Sequence, residues 1–110
     1  MSAQVLETSD DVAGRERRRA AEHSIGEVSI HVEDRWPDRA LLDDVDVEEA
    51  WSEADPIHYP SAKRGAVARY HRRTDTVLLA RQGGLVTCIE LMDRPWSERI
   101  YIRNQVTNDE

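Results

Sequence analysis

"AVARYHRRTDTVLLARQGGLVTCIEL" occupies residues 66–91, and the way it folds back on itself decides the architecture of the chain. It holds three β-rich runs, AVARYHRR (66–73), TVLLAR (76–81) and LVTCIEL (85–91), separated by short turn-forming stretches. Gly83-Gly84 is a strong two-residue hairpin signal between the second and third. The first turn sets the register, and a one-residue slip there moves every side chain to the opposite face. A two-residue loop at Thr74-Asp75 mixes charged and apolar groups on both faces. A three-residue loop, Arg73-Thr74-Asp75, separates them better, although such loops favour Gly where Asp75 stands. With that register one face collects Ala66, Ala68, Tyr70, Leu78, Ala80, Leu85, Thr87, Ile89 and Leu91. The other carries Val67, Arg69, His71, Val77, Leu79, Arg81, Val86, Cys88 and Glu90.

Upstream, Asp46 with Glu49 three residues on has capping-box spacing, with Asp in place of Ser or Thr. Val47, Ala50, Trp51 and Ala54 then fall at i, i+3, i+4 and i+7, the apolar stripe of a helix that covers a sheet. Glu48, Glu49 and Glu53 take the solvent side, and Asp55-Pro56 ends the element. Before it, "HVEDRWPDR" (31–39) reads as helix, with His31, Arg35 and Arg39 at i, i+4 and i+8. Pro37 removes a helical hydrogen bond and predicts a kink and a restart, which puts Arg39 off the face of the other two. "EVSI" (27–30) reads as a short strand, and "RIYIRNQV" (99–106) as a fourth, edge strand. Residues 1–25 read as a flexible arm with helical tendency from about Asp10 to Glu22, outside a single domain of residues 26–110. The expected class is α+β: two helices packed on one face of a three- to four-stranded antiparallel sheet.

The 110 residues suffice for one modest core, built without Phe from aliphatic residues and three Trp. Charged residues make up 34%, and 22 acids outnumber 15 bases, of which only Lys63 is Lys. Such a surface fits a protein from a high-salt cytoplasm, and a GC-rich genome that favours Arg codons explains it equally well. Charge is also bipolar: residues 26–55 sum to −9 and residues 56–108 to +5. The lone Cys88 excludes an internal disulfide. No run approaches the roughly 18–20 apolar residues of a membrane span, and the N-terminus lacks a signal peptide's apolar run. A soluble, cytoplasmic protein with no membrane association is expected.

The order strand–helix–helix–meander, with "HVEDRWPDR", then "DVEEAW", then "ARYHRRTDTVLLAR" and "LVTCI", resembles the RelE/ParE superfamily of toxins and its BrnT-like branch. The resemblance covers about residues 27–91. It implies an endoribonuclease that cuts messenger RNA, or a gyrase poison, held inactive by a cognate antitoxin. Pro37 and the acidic total depart from the family pattern.

Cleavage of RNA by its own 2′-hydroxyl needs a base, a cation for the developing phosphorane charge and an acid, and no cofactor or metal. On the expected open face, His71 serves as base or acid, while Arg69 and Arg81 hold the phosphate. Arg72, Arg73, Tyr101 and Arg103 extend the nucleic-acid-binding surface. His31, Arg35 and Glu90 are candidates for the rim. His31 and Arg35 read more readily as a structural pair, with Arg35 bonding a nearby carboxylate. The His residues and Cys88 show no metal-ligand spacing. The competing reading is a non-catalytic protein- or nucleic-acid-binding module, viral or accessory, using the same face, as a homodimer or against another protein.

Overall fold

The computed structural model describes residues 2–39 and 45–107, with side chains for 12–36 and 45–106. Helix α1 (Ser2–Glu22) leads into strand β1 (Glu27–Val28), helix α2 (Ile30–Arg39) and helix α3 (Val47–Glu53). Strands β2 (Asp55–Ile57), β3 (Val67–His71), β4 (Thr76–Arg81) and β5 (Gly84–Glu90) follow. A 3-10 turn at Leu91–Asp93 hands the chain to helix α4 (Trp96–Thr107). The strands form one five-stranded sheet in the order β1-β5-β4-β3-β2, antiparallel except for the parallel β1–β5 pair.

The fold class is the expected α+β, with differences in detail. Arg69 pairs with Leu78 and His71 with Thr76, so the β3–β4 loop is the four residues Arg72–Asp75. The Asp75 N–H donates to the Arg72 carbonyl at 3.1 Å, and Asp75 takes a φ of 55°. Asp tolerates that left-handed geometry better than most side chains. This loop has the parity of the two-residue loop that the sequence reading set aside. Val67, Arg69 and His71 therefore share a face with Leu78 and Ala80, whereas Ala68 and Tyr70 share one with Val77 and Leu79. The β4–β5 turn is Gln82-Gly83 rather than Gly83-Gly84, with φ of 53° and 82°. Those are the two positive values of a type I′ turn. A bulge then shifts the ladder between Leu79 and Ala80, which returns Leu85 to the side of Ala80 and Leu78.

Each face carries a core cluster. One buries Val67, Leu78, Ala80, Leu85 and Cys88 against Ala20 of α1, Val32 and Trp36 of α2, and Val47, Ala50 and Trp51 of α3. The other buries Ala68, Tyr70, Val77 and Leu79 beneath Ile102 and Val106 of α4. The expected fourth strand at 99–106 is thus helix, because Ile102 and Val106, one turn apart, both face the sheet. α2 runs unbroken through Pro37, which sits in its last turn and costs one hydrogen bond there. The Ser29 hydroxyl accepts from the Val32 N–H at 3.2 Å and caps its start. The side chain of Arg39 lies outside the described residues. Asp46 is the N-cap of α3, as read, but its side chain makes no capping bond. The segment expected as an arm forms α1, whose Ala20 is fully buried.

Arg69 holds the covered face together. Its Nε donates to the Ala20 carbonyl at 2.9 Å, and one terminal nitrogen donates to the Trp51 carbonyl at 2.8 Å. The other donates to the carbonyls of Ala21 at 3.0 Å and His23 at 3.4 Å. The guanidinium also lies 4.2 Å from the centre of the Trp51 ring. Arg69→Ala is expected to lower stability by roughly 2–3 kcal/mol, because several carbonyls lose their donor at once. A urea melt reads this as a lower midpoint with an unchanged slope. Arg69→Lys, which lacks the planar fork, should recover less than half of the loss.

Candidate functional site

The structure separates the three residues expected to share an open face. Arg69 lies beneath α1 and α3 with its donors on main-chain carbonyls. His71 is 1% exposed; its Nε2 meets Glu53 Oε1 at 2.8 Å and its Nδ1 meets the Thr74 hydroxyl at 2.7 Å. Both ring nitrogens are occupied, and the ring borders a cavity lined also by Glu53, Asp55, Arg72 and Arg73, not by Arg69 or Arg81. Arg81 is exposed and belongs to the opposite face, with Leu79 and Val77. The reason is the parity of the Arg72–Asp75 loop.

Ion pairs take most of the remaining expected cations. Arg72 binds Asp55 at 2.8 Å, Arg73 binds Glu53 at 3.0 Å, and Arg103 binds Asp75 at 3.0 Å. Asp75 also accepts from the Tyr70 hydroxyl, and burial together with that carboxylate pushes the Tyr70 phenol up to about 12. His31 and Arg35 are exposed on α2 and bond no carboxylate among the described residues. Glu90 is exposed and opposite Thr76, in the row that contains His71 and one strand beyond it.

A different set of side chains converges around the loop between β2 and β3. A cavity of about 360 Å³ is lined by Glu16 and Arg19 of α1, His58 just after β2, and Lys63, Arg64 and Ala66. Arg19 is paired with Glu16 at 2.9 Å, whereas Lys63, Arg64 and Arg81 have no ion pair among the described residues. Gly65 adopts a φ of 87° beside Arg81, whose Nε lies in ordinary contact range, 3.6 Å from where a Cβ would stand. The turn at this glycine brings the Lys63-Arg64 loop beside Arg81. Three exposed cations thus share one corner of the sheet.

His58, half-buried, is held through both its backbone and its ring. Its N–H donates to Gln105 Oε1 at 2.7 Å, and its carbonyl accepts from Gln105 Nε2 at 2.8 Å. Its Nδ1 lies 2.7 Å from the Tyr101 hydroxyl, with the two rings edge to face at 83°. Tyr101 and Gln105 stand one turn apart on α4, so one helix face grips both the backbone and the ring. Nε2 makes no hydrogen bond among the described residues. With Nδ1–H donating to the tyrosine oxygen, Nε2 keeps a lone pair that can accept a proton. Lys63 and Arg64 can neutralise a phosphate beside it. Among the described residues no group of three or more His, Cys, Asp or Glu could hold a metal ion.

Residues 28–92 match the Halo_toxin family, described as "Putative RelE superfamily toxin domain". The chain belongs to this family of RelE superfamily toxin domains. No curated protein and no solved structure matches it. Within the matched stretch the toxin domain carries His58, Lys63, Arg64 and Arg81; Tyr101 and Gln105 on α4, and Arg19 on α1, stand outside it. No described helix of the toxin is long and apolar enough to cross a membrane.

The sequence alone does not mark His58, Lys63, Arg64 or Gln105 as site residues, and it places Glu53 only on the solvent side of a helix. The usable signal was "AKRG" (62–65), where the chain's one Lys, an Arg and a Gly adjoin in a loop. Nothing local marks Gln105 as the partner of a residue 47 positions away.

The His71–Glu53 contact carries its own pH signature. The His71 hydrogen bond, with Arg73 assisting against desolvation, holds the Glu53 carboxyl below its ordinary range. A depressed carboxylate adds stability above its unfolded pKa and loses it as pH falls through the folded value. Glu53→Gln should therefore lower the melting temperature at neutral pH and flatten its decline in acid. Parallel melts across the acid range, with and without the substitution, check this.

Proposed function

We propose that this toxin domain is a ribonuclease that cuts single-stranded RNA with the RNA's own 2′-hydroxyl, and that its action is restrained by an antitoxin protein. The observation that carries the reading is a clamped His58 in one cavity with Lys63 and Arg64. In this scheme Nε2 of His58 takes the proton of the 2′-hydroxyl as that oxygen bonds to phosphorus. The bond from phosphorus to the 5′-oxygen breaks, and the leaving oxygen takes a proton from the Tyr101 hydroxyl or from water. Lys63 and Arg64 stabilise the added charge on the phosphorane. Of the residues first expected at the site, Arg81 and Tyr101 remain with the RNA, and Arg69 and His71 serve the fold.

The products would be a 2′,3′-cyclic phosphate and a free 5′-hydroxyl. Incubation of the protein with RNA in the presence of chelator, followed by mapping of the ends, should give these termini. His58→Ala should slow cleavage by about 100-fold or more, and Lys63→Ala with Arg64→Ala should do at least as much. All three positions are partly or fully exposed, so melting temperatures should stay near that of the parent. Cleavage that survives His58→Ala at full rate removes the reading.

A surface for the restraining partner is carried by α4 and the turn before it. Met92, Trp96 and Ile100 are 59%, 69% and 37% exposed and follow one another at four-residue spacing. Arg99 and Arg103 each direct a guanidinium to the Met92 sulfur at 3.6 Å. An apolar stripe bordered by cations fits an acidic amphipathic segment. Trp96→Ala should weaken capture of such a partner at least tenfold, measured by calorimetry, without changing cleavage by the free protein.

A further inference from the structure

A second cavity opens on the sheet face that α4 covers only in part. It has a volume of about 340 Å³ and lies at the Gly83 end, between the β2–β3 loop and the strands. Ala66, Leu79 and Val86 give it an apolar floor; Ser61 and Thr87 add hydroxyls, and Lys63 and Arg81 stand at its rim. The β-bulge explains the floor. In a regular strand Val86 and Thr87 would face opposite ways. The shift in the ladder between Leu79 and Ala80 lets both line the same hollow, with Val86 41% exposed. Lys63 and Ala66 line the His58 cavity as well, so the two hollows adjoin at a shared wall.

We propose that this second cavity is a nucleobase subsite, which receives the base next to the phosphate held at Lys63 and Arg64. The inference rests on the RNA-cleavage reading for the direction of the strand and adds a recognition element to it. A flat base places its face on Ala66, Leu79 and Val86, as bases do on apolar and aromatic platforms. Its edge meets the Thr87 hydroxyl, which both donates and accepts, and that of Ser61, which also bonds Tyr59 and Glu98. Lys63 and Arg81 then take the phosphates on either side of that nucleotide. An inorganic anion alone has no use for the apolar floor, and an apolar peptide would leave two unpaired cations at the rim. Because two hydroxyls match several base edges, the preference should be partial and confined to one position beside the cut.

Two substitutions test the assignment. Val86→Trp fills the hollow from an exposed position, and Thr87→Val removes a hydroxyl with little change of shape. The probes are a short single-stranded oligonucleotide with 2′-deoxyribose at the cut, which cannot be cleaved, and inorganic phosphate. Val86→Trp should weaken the oligonucleotide by about tenfold or more, the worth of one stacked base, and leave phosphate affinity unchanged. Thr87→Val should redistribute cuts among sequence contexts without abolishing them. Unchanged oligonucleotide affinity in Val86→Trp, or no binding of the oligonucleotide by the parent, overturns the subsite. Oligonucleotide binding that is lost in Val86→Trp, in a protein that cuts no RNA, would instead keep the subsite and reject cleavage. Cutting with the parent's contexts in both variants would do the reverse.

Discussion

Arg69 reaches from the middle of β3 into the junction where α1 and α3 come to their ends. The carbonyls it meets, those of Ala20, Ala21 and Trp51, belong to the last turns of these helices, and that of His23 follows α1. Last-turn carbonyls lack partners within a helix and carry the negative end of its dipole. A planar cation with a fork of donors satisfies several at once, and the Trp51 ring supplies a π-face beside it. Burial tends to lower the pKa of this guanidinium, and the carbonyl set offsets that cost. One side chain thus ties two helices to the sheet and makes a register slip expensive: a shift by one residue would aim Arg69 at the α4 side, away from every carbonyl it serves.

The same constraint decides what is left for function. With Arg69 and His71 turned inward, the face toward α4 receives Arg81, and the Gly65 turn sets Lys63 and Arg64 beside it. Elsewhere in the second half of the chain Arg72, Arg73, Arg94 and Arg103 are paired with Asp55, Glu53, Glu98 and Asp75, while Arg69 serves carbonyls and Arg99 reaches the Met92 sulfur. Lys63, Arg64 and Arg81, without ion pairs among the described residues, gather positive charge at the mouth of two adjoining hollows, even though the whole protein carries a net charge of −7.

How much of this could be read in advance differs from element to element. The stripe Val47, Ala50, Trp51 and Ala54 was legible because helical spacing and burial coincide, and all four are buried. The three central strands were legible from β-branched runs and turns. Register was not, since the search for a clean division of apolar from charged groups assumes that charge means solvent. Arg69 and His71 violate that assumption because distant carbonyls and Glu53 satisfy them. The bulge at Val86 compounds the error by reversing sides within one strand. "RIYIRNQV" alternates like an edge strand through Ile100 and Ile102 and turns like a helix through Ile102 and Val106; only contact with Ile57 and Leu79 decides between them. The candidate site was hidden for a related reason, since its histidine gains meaning only from a helix far along the chain.

The Gln105 bridge has a bearing on how the molecule comes into being. A nascent chain emerges with its sheet residues ahead of α4, and strands β3 to β5 can pair locally through tight turns. The backbone of His58 must wait for a glutamine synthesised 47 residues later. Until that helix docks, the cationic corner can already attract polyanions, yet the imidazole has nothing to orient it. On the proposed cleavage, attraction and competence would be separated in time during synthesis, so a half-made chain would grip without being armed.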